Sequence, residues 1–251
     1  MPDERYTLGY ADEAIRFLDR RSLDSHGAFF APLLLPGMAV LDCGCGPGGI
    51  TRGIAARVAP GRVTGIDRDA SQVELAARRA AQAGVGNVTF RAASVYELPF
   101  PDASFDAVFS HALFEHLADK PRAARECLRV LRPGGVIGVC TPDWGGFLLA
   151  PESEDLRAAL QAYEDAQNRN GGDTRTGRKL AAVLREAGFE GAKLAARYEN
   201  FSPLSDIGEV LAARLDLDGL PALAAALRAW QRDPHGLFSE AWVSCVARKP
   251  L

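Results

Sequence analysis

Residues 40–49 read VLDCGCGPGG, an apolar run that ends in an acid and then in a cluster of glycines. A short apolar stretch bounded by turn residues reads as a buried parallel strand, here Ala39 to Cys43. Glycines at 44, 46 and 48 permit a tight turn and let the backbone approach a ligand with no Cβ in the way. The helix expected from Ile50 offers free N–H groups at its start. Gly44, Gly46 and Gly49 also meet the pattern G-x-G-x-x-G, which points to a nucleotide-like ligand without choosing one.

Further along, short apolar runs predict strands at Val63 to Ile66, Val88 to Phe90, Phe105 to Ser110 and Val136 to Cys140, with helical patterns between most of them. Ser71 and Glu74 have the spacing of a capping box and Gly84 suits a left-handed cap, so a helix is expected over about Gln72 to Ala83. Leu180, Val183 and Leu184 mark a later helix that Gly188 can end, and Lys193 to Tyr198 and Ala241 to Ala247 read as two more strands. The alternation predicts an α/β fold, a doubly wound sheet whose first five strands are parallel and whose last two form an antiparallel edge.

The chain has 251 residues, 47% hydrophobic and 24% charged, which suits one large folded domain over residues 1–251. Its net charge of −3 leaves no basic excess for a phosphate backbone, so nucleic acid is not the expected partner. The apolar stretch from Phe29 to Leu41 is broken by Pro32 and Pro36, and no signal pattern opens the sequence, so a cytoplasmic protein without membrane insertion is expected. Five scattered cysteines, Cys43, Cys45, Cys127, Cys140 and Cys245, form neither a disulfide framework nor a metal site and are expected to be buried. The core is expected over about 37–141 and 177–248. Segments 1–36, 142–175 and 200–238 fit it poorly and read as lid and pocket wall. Their Phe29, Phe30, Trp144, Phe147, Leu148, Leu149, Phe201, Leu211 and Trp230 suggest an apolar pocket.

Asp67 closes the second strand, 23 positions after Gly44, where an acid can accept hydrogen bonds from two ribose hydroxyls. Asp42 lies two positions before the first glycine, where a nicotinamide site usually has apolar residues; an acid there favours a zwitterionic ligand. Four segments, VLDCGCGPGG (40–49), GID (65–67), ELPFPDASFDAVFS (97–110) and RVLRPGG (129–135), together resemble the class I S-adenosylmethionine (SAM) dependent methyltransferases. Within them the chain is most similar to the ubiquinone/menaquinone-biosynthesis-like group of small-molecule enzymes, through LPGM (35–38), SHALFEHLAD (110–119) and GRKLAAVLREAGF (177–189).

That resemblance implies a Rossmann-like, seven-stranded sheet with the last strand antiparallel and helical lids. It also implies SAM as cofactor, S-adenosylhomocysteine (SAH) as product and a small, largely apolar acceptor of quinone, polyketide or other natural-product type. It places the methionine end of SAM at Asp42, Gly44, Cys45 and Gly46, with Tyr10 and Arg21 toward its carboxylate. Asp67 takes the ribose, and Arg68 and Gln72 border the adenosine. The family usually carries an acid six residues before the Phe of its LPF motif. Here that position is Ser94, followed by Val95, a weaker acceptor for the adenine amine. Ser110 and His111 fall beside the sulfonium, and His111 is the best-placed residue to accept a proton from a hydroxyl acceptor. Two other classes share the fold: a SAM-binding protein doing other chemistry such as cyclisation, and a nicotinamide oxidoreductase, which Asp42 and RVLRPGG disfavour.

Overall fold

The computed structural model describes residues 4–251; the first three residues of the expected lid lie outside this range. Strand β1 (Ala39–Cys43) leads through the glycine turn into helix α2 (Gly49–Val58), preceded by helix α1 (Asp12–Asp19). Strand β2 (Arg62–Asp67), helix α3 (Ala70–Gln82), β3 (Val88–Ala92), β4 (Phe105–His111), α4 (Lys120–Val130) and β5 (Leu131–Pro142) follow. The second half carries β6 (Leu148–Ala150), α5 (Glu154–Arg169), α6 (Leu180–Glu186), β7 (Glu190–Asn200), α7 (Ser205–Leu217), α8 (Pro221–Trp230) and β8 (Leu237–Arg248).

All the strands join one sheet in the order β3-β2-β1-β4-β5-β8-β6, with β7 on the other edge of β8. β1 lies between β2 and β4, parallel to both, with Cys43 opposite Ile66 and Ser110. The strand order reverses there, and the carboxyl ends of β1, β2 and β4 open a crevice. β8 is antiparallel to both β5 and β7, so β7 runs with the first five strands and β8 alone opposes them. β6, an eighth strand unforeseen from sequence, extends the pairing of β8 beyond the end of β5; three residues are too few for a periodic signal.

Side-chain alternation divides the core. Val40 points with Phe30, Ile54 and Phe109 to one face of the sheet, and Leu41 with Ile137, Cys127 and Leu184 to the other. Helix α3 starts earlier than the capping box predicts, because Asp69 is the N-cap and its carboxylate accepts from the Ser71 N–H at 2.8 Å. A carboxylate outcompetes a hydroxyl for an orphan N–H. Gly84 takes φ +66°, as expected.

Residues 142–175 and 200–238 contribute α5, α7 and α8 to a helical cap with its own core of Trp144, Tyr163, Leu211, Trp230 and Phe238. This corrects part of the apolar-pocket expectation. Phe30 is packed under the sheet, Phe201 and Trp230 lie inside the cap, and half of Leu148 faces solvent. Apolar side chains in an insertion gain most by burying one another; Trp144 and Leu211 also line a small cavity.

Candidate cofactor and acceptor site

A cavity of about 370 Å³ opens at the carboxyl ends of β1, β2 and β4. Its floor is the glycine turn, in which Gly44, Gly46 and Gly48 all have positive φ. A Cβ on Gly46 would meet nothing within 4 Å, so its backbone is open to a ligand. The N–H groups of Gly44 and Cys45 donate to the Ile66 carbonyl at 2.8 and 2.9 Å, and that of Gly46 donates to the Asp67 carboxylate at 3.0 Å. The turn and the acid at the end of β2 therefore form one hydrogen-bonded unit. Gly49 lets α2 pass close to the Arg21 carbonyl, which a Cβ would approach to 2.5 Å.

Asp42 and Asp67 both line this cavity, and among the described residues neither forms an ion pair. Asp42 accepts the Thr51 hydroxyl at 2.6 Å; burial pushes its carboxyl up to about 7, against the Thr51 bond and helped by the charge of Asp67. Burial also raises Asp67, although the Asp69 and Gly46 N–H groups oppose it. Arg21 stands across from them between the rings of Phe17 (5.4 Å) and Trp242 (5.5 Å), with no carboxylate partner among the described residues.

Residues 4–10 form a strap along the cavity. The buried Glu4 carboxylate accepts from the Tyr96 hydroxyl and the Ala118 N–H, and Arg68 donates to the Glu4 carbonyl at 2.6 Å. Tyr6 stacks on Tyr10 at 5.2 Å and meets His116 edge-on at 4.9 Å.

His111, at the end of β4, is 5% exposed and stacks on Trp242 at 4.6 Å; neither ring nitrogen has a hydrogen-bond partner. Burial, aided by Arg21 and His26, holds its pKa well below 6.5. Beyond it lies a second cavity of about 40 Å³, which shares Tyr6, Arg21, Ala112 and His116 with the first and continues to Glu115, Tyr163, Glu240 and Trp242. Glu115 takes the Thr141 hydroxyl; burial raises it to about 7, against Thr141 and Arg21. Burial raises Glu240 to about 8, with Glu199 adding. His116 is pushed down to about 3 by burial and by Arg21.

These shifts carry a sign. The three buried carboxyls keep protons that an unfolded chain has released, whereas His111 and His116, held neutral in the fold, act in the opposite sense only around and below about pH 6.5, where an unfolded imidazole is still protonated. Stability therefore falls as pH rises toward about 8, by about 1–3 kcal/mol in total. Thermal denaturation of ligand-free protein is expected to show a higher midpoint at pH 6.5 than at pH 8; a midpoint that holds or rises contradicts the buried-carboxyl assignment.

Of the residues singled out from sequence, Tyr10, Arg21, Asp42, Gly44, Cys45, Gly46, Asp67, Arg68, Ser94, Val95 and His111 line the first cavity. The hydroxyl oxygen of Ser94 accepts from the Tyr96 N–H at 3.2 Å and keeps its own O–H to donate. Two stand apart and are corrected. Ser110 is wholly buried and donates to the Cys43 carbonyl at 3.0 Å, because alternation along β4 turns it away when His111 faces the cavity. Gln72 is buried on α3, outside the lining, and its Oε1 has no partner. Glu4, Tyr6, Tyr96, Glu240 and Trp242 were not foreseen. The signal for one of them was present: Glu240 alternates with Phe238 and Trp242 on the inward face of β8, where an acid is out of place.

A glycine turn after β1 and an acid at the end of β2, facing one cavity at a topological switch point, define a Rossmann-like nucleotide-binding protein. A family model described as a methyltransferase domain matches residues 41–139. The probable methyltransferase ltbC of Aspergillus luteorubrus is 32% identical over 203 residues, 74% of this chain and 68% of that protein. The 27-O-demethylrifamycin SV methyltransferase of Amycolatopsis mediterranei is 36% identical over 170 residues, 62% of this chain and 56% of that one. The chain spans only part of the length of the curated relatives it matches, 44%, 56%, 52% and 27% of four of them. Among solved structures, the [4+2]-cyclase SpnF superposes with a TM-score of 0.61 at 26% identity, over 93% of this chain and 85% of that one. The chain belongs to the class I SAM-dependent methyltransferases, whose cofactor is SAM. Among the described residues no helix is long and apolar enough to cross a membrane.

Proposed function

We propose that the protein transfers a methyl group from SAM to a small, largely apolar acceptor of quinone, polyketide or other natural-product type. The observation that carries this is a pair of neighbouring cavities that share lining residues: one holds Asp42 and Asp67, neither ion-paired among the described residues, and the other is edged by Phe17, Trp144, Tyr163 and Trp242. The first fits SAM by charge. The ammonium and sulfonium of the cofactor complement Asp42 and Asp67, and its carboxylate complements Arg21 and Tyr10, while Asp67 also takes the ribose hydroxyls. Ser94, Val95 and Arg68 border the adenine, and Cys45 and Gly46 offer the backbone of the turn.

When bound, SAM supplies an electrophilic methyl on a cationic sulfur. The protein's share is positioning and exclusion of water, to which the strap and the cap contribute. His111 is neutral and its ring nitrogens are open, so it accepts the proton that a hydroxyl acceptor must lose. The relative named for 27-O-demethylrifamycin SV supports an acceptor of this type. Five free, buried cysteines suit the reducing cytoplasm, and a small molecule rather than nucleic acid is the partner.

The test is titration calorimetry with SAH and with NAD, followed by mass spectrometry of a panel of phenols and hydroquinones incubated with SAM. Tight SAH binding, no NAD binding and an acceptor heavier by one methyl with matching SAH are expected. The likeness to SpnF favours one alternative, cyclisation on a retained SAM. Acceptor isomerised without change of mass, with SAM unconsumed, would establish that reading instead.

A further inference from the structure

Strand β7 forms an edge of the sheet and is bonded to β8 alone. Open strand edges are ordinarily kept short, bent or interrupted by proline. The edge strands β3 and β6 fit that pattern, with five and three residues. β7 has eleven, its register is unbroken from Lys193 to Asn200, and Lys193 to Tyr198 are all exposed. Phe201, just past its end, donates its N–H to the Phe238 carbonyl across the same register. Backbone bonding alternates along an antiparallel pair, so the odd-numbered residues of β7 bond β8. Leu194, Ala196 and Tyr198 therefore turn their N–H and C=O groups to the open side.

The side chains of these three share one face, where Leu194 is 47% and Tyr198 54% exposed. Lys193, Arg197 and Glu199 share the other. Lys193 has no ion-pair partner among the described residues. Glu199 meets His26 through one carboxylate oxygen at 3.3 Å, and its side chain is 15% exposed. The strand is complementary to itself. With Ala196 opposite Ala196 of an antiparallel second copy, Leu194 falls opposite Tyr198 twice and Lys193 opposite Glu199 twice, while Arg197 meets Ala195. Charge disfavours the two neighbouring registers, which set Lys193 opposite Arg197 or Arg197 opposite itself. We infer that the β7 edge is the interface of a two-fold dimer, in which two copies of this chain pair antiparallel about Ala196 and continue one sheet into the other. No β7 residue lines either cavity, so the pairing leaves both open.

Sedimentation equilibrium of the full chain is expected to show monomer–dimer exchange with a dissociation constant of about 1–100 μM, as suits a small interface. Ala196→Pro removes an N–H that β8 does not use, a place where an edge strand tolerates proline. It is expected to weaken the dimer at least about 10-fold while SAH affinity is unchanged. Lys193→Glu sets like charges opposite each other twice and is expected to weaken it at least about 3-fold. Because the five native cysteines are buried, Ala196→Cys adds the one exposed thiol, and dibromobimane is expected to link two copies through it. Glu190→Cys, far from its counterpart across the two-fold axis, is expected to stay unlinked. A chain that remains monomeric at about 1 mM would overturn the assignment. So would a dimer that either Ala196→Pro or Lys193→Glu leaves intact, absence of linking through Ala196→Cys, or linking through Glu190→Cys. If Ala196→Pro does not fold, the two cysteine variants decide. Failure of the wild-type chain to bind SAH would bear on the methyltransferase reading alone.

Discussion

His111→Ala is expected to lower kcat by at least about 10²-fold, with SAM affinity changed no more than a few-fold. A general base contributes about 10² to 10⁴ in rate, whereas a residue that merely lines a cofactor site alters binding more than turnover. The ring is caged, stacked on Trp242 and edge-on to His26 at 5.2 Å, so it is held in place without spending either nitrogen on the protein. Its lowered pKa changes the pH profile expected from an ordinary histidine. With the imidazole held well below its ordinary pKa, the rising limb that belongs to His111 lies below about pH 6.5. The measurement is a pH–rate profile of wild type and variant, with an acceptor from the phenol and hydroquinone panel. A variant that retains kcat within a few-fold leaves catalysis to positioning alone.

Asp67→Ala is expected to weaken SAM binding by about 1.5–3 kcal/mol, roughly 10- to 150-fold, with the fold retained. Two losses contribute. The ribose hydroxyls lose a charged acceptor, and the turn loses the carboxylate that fixes the Gly46 and Asp69 N–H groups at 3.0 and 3.1 Å. Asp67→Asn separates them only in part: the Gly46 and Asp69 N–H groups meet different carboxylate oxygens, and the single amide oxygen of an asparagine can keep one of the two while the charge is gone. Calorimetry with SAH on both variants checks the assignment. Unchanged affinity in Asp67→Ala would remove Asp67 from the cofactor site.

The parts of the fold legible in the sequence were those that local chemistry dictates. Buried parallel strands require apolar runs, and β1 occupies Ala39–Cys43, as its sequence indicates. β7 illustrates the opposite case. Its residues are mostly exposed, and its eleven-residue length comes from pairing with β8, a partner about fifty residues away. Pairing of that kind leaves no hydrophobic period to read. The glycine turn and Asp67 were legible because turn glycines and an acid at the end of a strand are local features of the sequence. The strap and the wall of the second cavity were not, because Glu4 meets Tyr96 and Ala118 only through tertiary folding. Gln72 and Ser110 were carried over from neighbouring motif positions, and a rotation of one residue along a strand or helix turns a side chain out of a site.

The Glu4 clasp bears on time as well as on shape. In the proposed reaction SAM is consumed at each cycle and SAH has to leave, and Glu4, Arg5, Tyr6 and Tyr10 form part of the wall of the cavity proposed to hold it. Releasing that wall means parting a buried carboxylate from a phenol and an N–H, bonds each worth about 1.5–3 kcal/mol when one partner is charged. The residence time of the spent cofactor is thereby tied to one side chain distant in sequence from the glycine turn. Under the proposed reaction, cofactor exchange and methyl transfer become separately adjustable clocks, one set by Glu4 and its partners, the other by the proposed base His111.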